Sequence, residues 1–264
     1  LLSFDCDFPE DAQALPGIAE MLRERGLKAS FACVGRWVEE YPEAHSAVLS
    51  TGCELFNHSY SHPELVNSPS HFVSSRTDLN PRRWSDLSRV DKIEEVRRCQ
   101  EVVQGKLGYR MQGFRVPHFG NVRPGEIHGL LGELGLMYSS SQLSPSCPHF
   151  GVPFLNEGVL EIPVTSCPRH PFSSFDSWHA LYAHGGWHRL DFFEVLQRQV
   201  EASAIHGGLT NIYLDPKDAQ RLEFARIFDF LAASAEECWS PTYSEFSEWW
   251  SESRASSEIR EMAG

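Results

Sequence analysis

The sequence predicts an α/β domain of barrel-like type, with parallel strands covered by helices, folded as a single domain over residues 1–264. Three observations predict it. Short apolar runs alternate with stretches of helical periodicity across brief connections, the rhythm of βαβ units and therefore of a parallel sheet. No internal repeat, and no linker rich in Gly, Ser or Pro, divides the chain. The length of 264 residues is one at which α/β barrels fold as one unit.

Taken in order, "LLSF" (1–4) reads as a first strand that runs into Asp5, Cys6 and Asp7. A helix follows, with Leu15, Ile18, Ala19 and Leu22 on one face and Gly26 as its stop. "KASFACVG" (28–35) is the second strand, "YPEAHSAVLSTG" a short helix closed by Gly52, and "CELFNH" (53–58) the third strand. Residues 66–89 are polar and rich in Ser, Pro and Asn, an excursion of a length usually reserved for functional loops. A helix over 89–108 ends at Gly108, and "QGFRVPHFG" (112–120) resumes as a strand that Pro117 terminates. Then come a short helix over 127–136, a strand over 158–166, a helix over 190–208, the last strand "LTNIYL" (209–214) and a helix over 218–237. The end carries Thr242 and Glu245 at capping-box spacing, ahead of the apolar face of Phe246, Trp249 and Trp250.

Composition narrows the function. The formal charge of −13 repels polyanions and supplies no basic stripe, which sets aside nucleic acid and anionic membrane. No apolar run reaches the ~18 residues of a membrane span, and no signal peptide is visible. The seven cysteines are scattered, odd in number and without a CxxC pair, as expected of reduced thiols in a cytoplasmic protein. The chain starts without Met and already in strand-like sequence, so a preceding segment is expected.

The chemistry-bearing residues cluster at the expected C-terminal ends of strands, where parallel α/β folds keep their sites. Asp5 and Asp7 are two apart and share a strand face, with Cys6 on the other as a core residue. Two such carboxylates are either solvated turn residues or partners of a cation that relieves their repulsion. Glu10 and Asp11 read as ordinary turn or helix-start acids. In "NHSYSHPEL" (57–65), His58 and His62 are four apart, close enough to face one another over a single turn. Two imidazoles and a carboxylate make an N,N,O site suited to zinc, and also to cobalt, nickel or iron, with positions left for water and substrate.

"SFDCD", "NHSYSHPEL" and "GFRVPHFG", in this order, resemble the first three motifs of the polysaccharide deacetylases, carbohydrate esterase family 4. The resemblance extends through "GVLEIPVTS" to "SPTYSEFSEWW", and the Asp-x-Asp form is similar to the branch that holds allantoinase-like and intracellular-type peptidoglycan deacetylases. It implies a distorted (β/α) barrel and a catalytic domain spanning 1–264. It also implies a metal-dependent hydrolase that removes an N-acyl group, usually N-acetyl, from an amino sugar of a surface glycan or its precursor. Carried over, Asp5 is the catalytic base, Asp7, His58 and His62 hold the metal, and Arg115 pairs with Asp5. Asn57, Tyr60, Pro117, His118 and Phe119 fall on the substrate side. Tyr60, Phe119, Trp178 and Trp187 are candidates to stack on a sugar ring.

One departure stands out. The family's last motif presents a histidine after an apolar strand as the general acid, and here "NIYLDPKD" has Asp215. An aspartate donates a proton only with a raised pKa. Otherwise His118, His184 or His188 serves in its place, and Asp215 caps the helix that starts near Pro216. Two other readings follow: a hydrolase of a linear or cyclic amide, or a degenerate member that binds a glycan without turnover.

Overall fold

The computed structural model describes residues 1–63, 80, 82–119, 126–181 and 189–263. Most of the polar excursion, together with His184, Trp187 and His188, lies outside the described residues.

The first strand, β1 (Leu2–Cys6), is buried at every position. Its period-two alternation sends Leu2, Phe4 and Cys6 into the main apolar cluster beneath the helices, and Ser3 and Asp5 to the opposite face. The helix α1 (Pro9–Glu24) packs Leu15, Ile18, Ala19 and Leu22 into that cluster, as their spacing predicts. Then follow β2 (Ser30–Cys33), the short helices α2 (Gly35–Glu40) and α3 (Pro42–Leu49), and β3 (Glu54–Asn57). Beyond the excursion come α4 (Arg89–Leu107), β4 (Gly113–Phe114), α5 (His128–Glu133) and β5 (Tyr138–Ser139). The hairpin β6 (Phe154–Asn156) and β7 (Val159–Glu161) is followed by a second small hairpin, β8 (Ser166–Cys167) and β9 (His170–Ser174), and by α6 (Ser177–Leu181). The chain closes with α7 (Arg189–His206), β10 (Ile212–Leu214), α8 (Pro216–Ala219), α9 (Leu222–Ala233) and α10 (Tyr243–Ala263).

Eight strands form one curled sheet in the order β10-β1-β2-β3-β4-β5-β7-β6, parallel except for the antiparallel edge strand β6. The sheet is therefore the distorted barrel expected, with β10 and β6 unpaired to one another among the described residues. The register pairs Phe4 with Leu214 and Cys33 with Asn57, so the residues after β1, β3 and β10 emerge at one end of the sheet. Gly113 is required where β4 meets β5, because a Cβ there would lie 1.9 Å from the Tyr138 ring.

Several boundaries differ from expectation. The helix expected over 218–237 is two, α8 and α9, because Arg221 takes an extended conformation (φ −69°, ψ 142°) between them. The strand expected over 112–120 is only two residues long. The elements β5, β6, β8, β9, α2 and α6 carry no sequence pattern long enough to announce them. The capping box forms: Thr242 N–H donates to Glu245 Oε2 (3.0 Å) and Glu245 N–H to Thr242 Oγ1 (3.3 Å). All seven cysteines are free thiols, and Cys6 is core. No described helix is long and apolar enough to cross a membrane.

Candidate active site

The site lies at the C-terminal ends of β1, β3, β4 and β10. Asp7 follows β1, and its Oδ1 is 3.2 Å from His58 Nε2 and 3.3 Å from His62 Nε2. Both imidazoles are buried, and their rings lie 4.9 Å apart. Buried Asp7 Oδ1 accepts no hydrogen bond from any described residue. Burial opposes the Asp7 charge, but His62 and His58 outweigh it and hold the carboxyl well below its ordinary range. Where His58 Nδ1–H donates to the Arg115 carbonyl (2.8 Å), Nε2 keeps its lone pair toward Asp7. An acceptor oxygen without a donor and two convergent imidazole nitrogens form a donor set that fits a divalent cation.

A tight loop after β3 builds this geometry. Ser59 and His62 both have positive φ (66° and 49°), unfavourable for residues with a Cβ, so the loop must be held from outside. Asn57 does part of this: its Oδ1 accepts Ser59 N–H (2.9 Å) and its Nδ2 donates to Val96 O (2.8 Å). Glu95 on α4 does more, with Oε2 accepting from Tyr60 N–H (3.0 Å) and Ser61 N–H (2.8 Å) and Oε1 from Ser61 Oγ (2.7 Å). Ser59 Oγ accepts His62 N–H (3.0 Å). Glu95 was not anticipated, since on a helix dense in charge it looks like any solvated acid.

Beside this loop, Arg115 is fully buried. Its five N–H groups are all directed at acceptors: Nη1 to Asp5 Oδ1 (2.5 Å) and Ser3 Oγ (3.1 Å), Nε to Ser140 O (3.0 Å), and Nη2 to Ser140 Oγ (3.0 Å) and the Tyr243 hydroxyl (2.6 Å). The Tyr243 hydroxyl donates to Asn211 Oδ1 (2.7 Å). Burial opposes the guanidinium charge, yet Asp5 beside it raises the Arg115 pKa. For Asp5 the balance runs the other way: burial pushes its carboxyl up, although Arg115 and His58 pull it down. Arg115 therefore orients Asp5 without restoring the pKa of a solvated aspartate.

Asp215, one residue beyond β10, is next to Asp5 in the register that pairs Leu214 with Phe4. Its backbone N-caps α8, but its side chain makes no capping bond. Instead Asp215 Oδ2 accepts from Ser177 Oγ (3.1 Å), and Asp215 N–H donates back to that hydroxyl (2.8 Å). Burial, with Asp11, Asp7 and Asp176 nearby, outweighs the opposing Lys217 and pushes the Asp215 carboxyl well above its usual range. Asp11 is no ordinary helix-start acid: it is buried, accepts from Lys217 N–H (3.2 Å) and Nζ (3.3 Å), and is pushed by burial to about 7. Glu10 is exposed, as an ordinary acid should be.

The residues expected on the substrate side divide. His118, also at positive φ (54°), has its ring 5.1 Å from that of His62, and the Phe119 ring is 5.1 Å from that of Tyr213. Pro117 is buried between Arg115 and these two. Asn57 lies beneath the loop with its amide committed to backbone, a correction to its expected position at the substrate. Tyr60 likewise turns away, its hydroxyl donating to Glu39 Oε2 (2.9 Å) and its face 3.6 Å from the Arg98 guanidinium carbon. Trp178 is half-buried on α6.

A family model described as polysaccharide deacetylase matches residues 1–136. No curated protein matches the chain. Among solved structures, a candidate polysaccharide deacetylase from Mycobacterium smegmatis superposes with a TM-score of 0.70 at 17% identity, over 94% of this chain and 88% of that one. A family 4 carbohydrate esterase from Streptomyces lividans, in complex with acetate, gives 0.52 at 17% identity, over 89% and 86%. A family 4 pseudoenzyme from Bacillus anthracis gives 0.57 at 15% identity, over 93% of this chain and 64% of that one. With the family model spanning just over half of its length, the chain belongs to the polysaccharide deacetylase family.

Proposed function

We propose that residues 1–264 form a catalytic domain that uses a divalent cation, zinc before cobalt, nickel or iron, to remove an N-acetyl group from an amino sugar of a surface glycan or its precursor. The observation that carries this is the convergence of Asp7, His58 and His62 on one point beside the Asp5–Arg115 pair. When bound, the cation supplies Lewis acidity toward an amide carbonyl and an activated water. The chain's own residues supply the rest. Asp5, aimed by Arg115, takes the proton of the attacking water as general base. Asp215 carries a proton for the departing amine: burial and the neighbouring carboxylates, which push its carboxyl up, support an acid role in place of the family's histidine, and Ser177 fixes the orientation of that carboxyl. His118 and Phe119 border the space where a sugar would sit. The charge of −13 favours a neutral glycan, and seven free thiols favour a reducing compartment.

The test is acetate release from a panel of N-acetylated oligosaccharides by protein stripped with chelator and then reloaded with zinc. Metal-restored release that Asp5→Asn abolishes supports the reading. Hydrolysis of small linear or cyclic amides instead moves the protein to the allantoinase-like reading. The Asp215 substitution favours a second possibility, a glycan binder without turnover, which predicts retained glycan affinity and no acetate from either protein.

A further inference from the structure

A second convergence of metal-binding side chains lies on the hairpin β8–β9 and on α6. Cys167 ends β8, His170 begins β9 after a two-residue turn, and His179 lies in α6. The spacing Cys-x-x-His across a tight turn makes Cys167 and His170 a cross-strand pair, with two potential ligands side by side. In three dimensions His170 Nδ1 is 3.6 Å from Cys167 Sγ and 2.9 Å from His179 Nε2, and the three ligand atoms all lie within 4.8 Å of one another. Cys167 and His179 are buried, and His170 is half-buried.

These distances fit one cation. With Zn–S near 2.3 Å and Zn–N near 2.05 Å, tetrahedral edges come to about 3.6 Å for S···N and about 3.3 Å for N···N. The first equals the separation seen, and the second requires the two imidazoles to part by about 0.4 Å, within the freedom of the half-exposed His170 ring. A soft thiolate with two imidazoles selects zinc or another thiophilic ion over magnesium or calcium. Three protein ligands leave one position of a tetrahedral ion for water.

We propose that Cys167, His170 and His179 form a second, zinc-binding site, separate from Asp7, His58 and His62. Its role follows from what it ties together. Asp176 accepts His179 N–H on Oδ1 (2.5 Å) and Ser174 Oγ–H on Oδ2, and the next residue, Ser177, is the hydrogen-bond partner of Asp215. A cation here staples the hairpin to α6 and so fixes the segment that positions Asp215.

Cobalt distinguishes the two sites, because only this one contains sulfur. Metal-free protein, kept reduced with a phosphine, is titrated with Co²⁺ while the near-ultraviolet thiolate-to-cobalt absorption and the bound metal are measured. The expected result is that absorption band with two cobalt ions per chain. Asp7→Asn should retain the band and bind one ion; Cys167→Ser should lose the band and bind one ion. Should Cys167→Ser fail to fold, His170→Ala, changed at a half-exposed position, should weaken the affinity read from the band at least tenfold. No band in the unaltered protein, a band that persists in Cys167→Ser, or an unchanged affinity in His170→Ala would each overturn the proposal. Failure of the deacetylase reading would leave the band untouched.

Discussion

Replacing Arg115 with Met keeps an unbranched stem and removes five N–H donors from a fully buried position. The loss leaves the Asp5 carboxylate without its cation and takes from Ser140 O the donor that Arg115 supplied, at about 1 kcal/mol, while Ser3 Oγ and the Tyr243 hydroxyl keep Ile212 O and Asn211 Oδ1 as partners. Breaking a buried ion pair by deleting one partner costs about 3–5 kcal/mol, because the surviving charge has neither water nor a counter-ion. For a chain of this size that loss lowers Tm by roughly 6–20 °C. Urea unfolding followed by tryptophan fluorescence reads the stability directly. In the double variant Asp5→Asn/Arg115→Met the stranded charge is gone, so the loss should be smaller than the sum of the singles by about 2 kcal/mol. Arg115→Lys tests orientation: one ammonium cannot reproduce the fork, and kcat should fall about 100-fold with a smaller loss of stability. A loss under about 1 kcal/mol for Arg115→Met, or strict additivity in the cycle, would refute the view that this guanidinium is the charged keystone of the site.

Asp7→Asn, or chelation of the unaltered protein, should reduce acetate release by about 1,000-fold, with metal content measured on the same samples and zinc restoring only the chelated enzyme. Glu95→Gln weakens the hold on the Tyr60 and Ser61 amides, and the affinity of the His58–His62 loop for zinc should drop about 10–100-fold in a competition titration, while an unchanged value would make Glu95 a bystander. Asp215→Asn should lower kcat about 100-fold with KM and metal content preserved, and Asp215→His should restore part of the rate. His45, buried and accepted by Tyr41 O (2.8 Å), has its pKa pushed by burial from 6.5 down to about 4. The unfolded chain then binds more protons between those values, so His45 contributes fully above pH 6.5 and loses about 3 kcal/mol as pH falls to 4. Burial raises Asp176 to about 6 and Asp11 to about 7, which acts with the opposite sign in that window. The difference between melts of the unaltered protein and His45→Gln isolates the histidine, and a difference that does not change with pH would contradict it.

What the sequence disclosed was whatever depended on neighbours along the chain. Period two placed Asp5 and Cys6 on opposite faces of β1, a four-residue spacing brought His58 and His62 together, and the Thr242–Glu245 pair marked the start of α10. What stayed hidden was whatever depended on contacts closed by the fold. Ser140 and Tyr243 reach Arg115 from 25 and 128 residues away, and the two-residue strands β5 and β8 are too short to show alternation. Asp11 looked like a helix-start acid because Lys217, the residue that makes it a buried partner, lies 206 positions later. Asp215 is the sharpest instance. Judged by its ordinary pKa, an aspartate is a poor substitute for the family's histidine, since it is ionised where an acid must hold its proton. The fold changes that ordinary value: β10 delivers Asp215 into a pocket with Asp11, Asp7 and Asp176 nearby, and burial adds to their repulsion of a further negative charge. Lys217 opposes them, but its Nζ is engaged by Asp11 at 3.3 Å. A carboxyl so placed is held above the range of a solvated one, which is the condition the proposed acid role requires, and the rates of Asp215→Asn and Asp215→His decide whether the chain uses it.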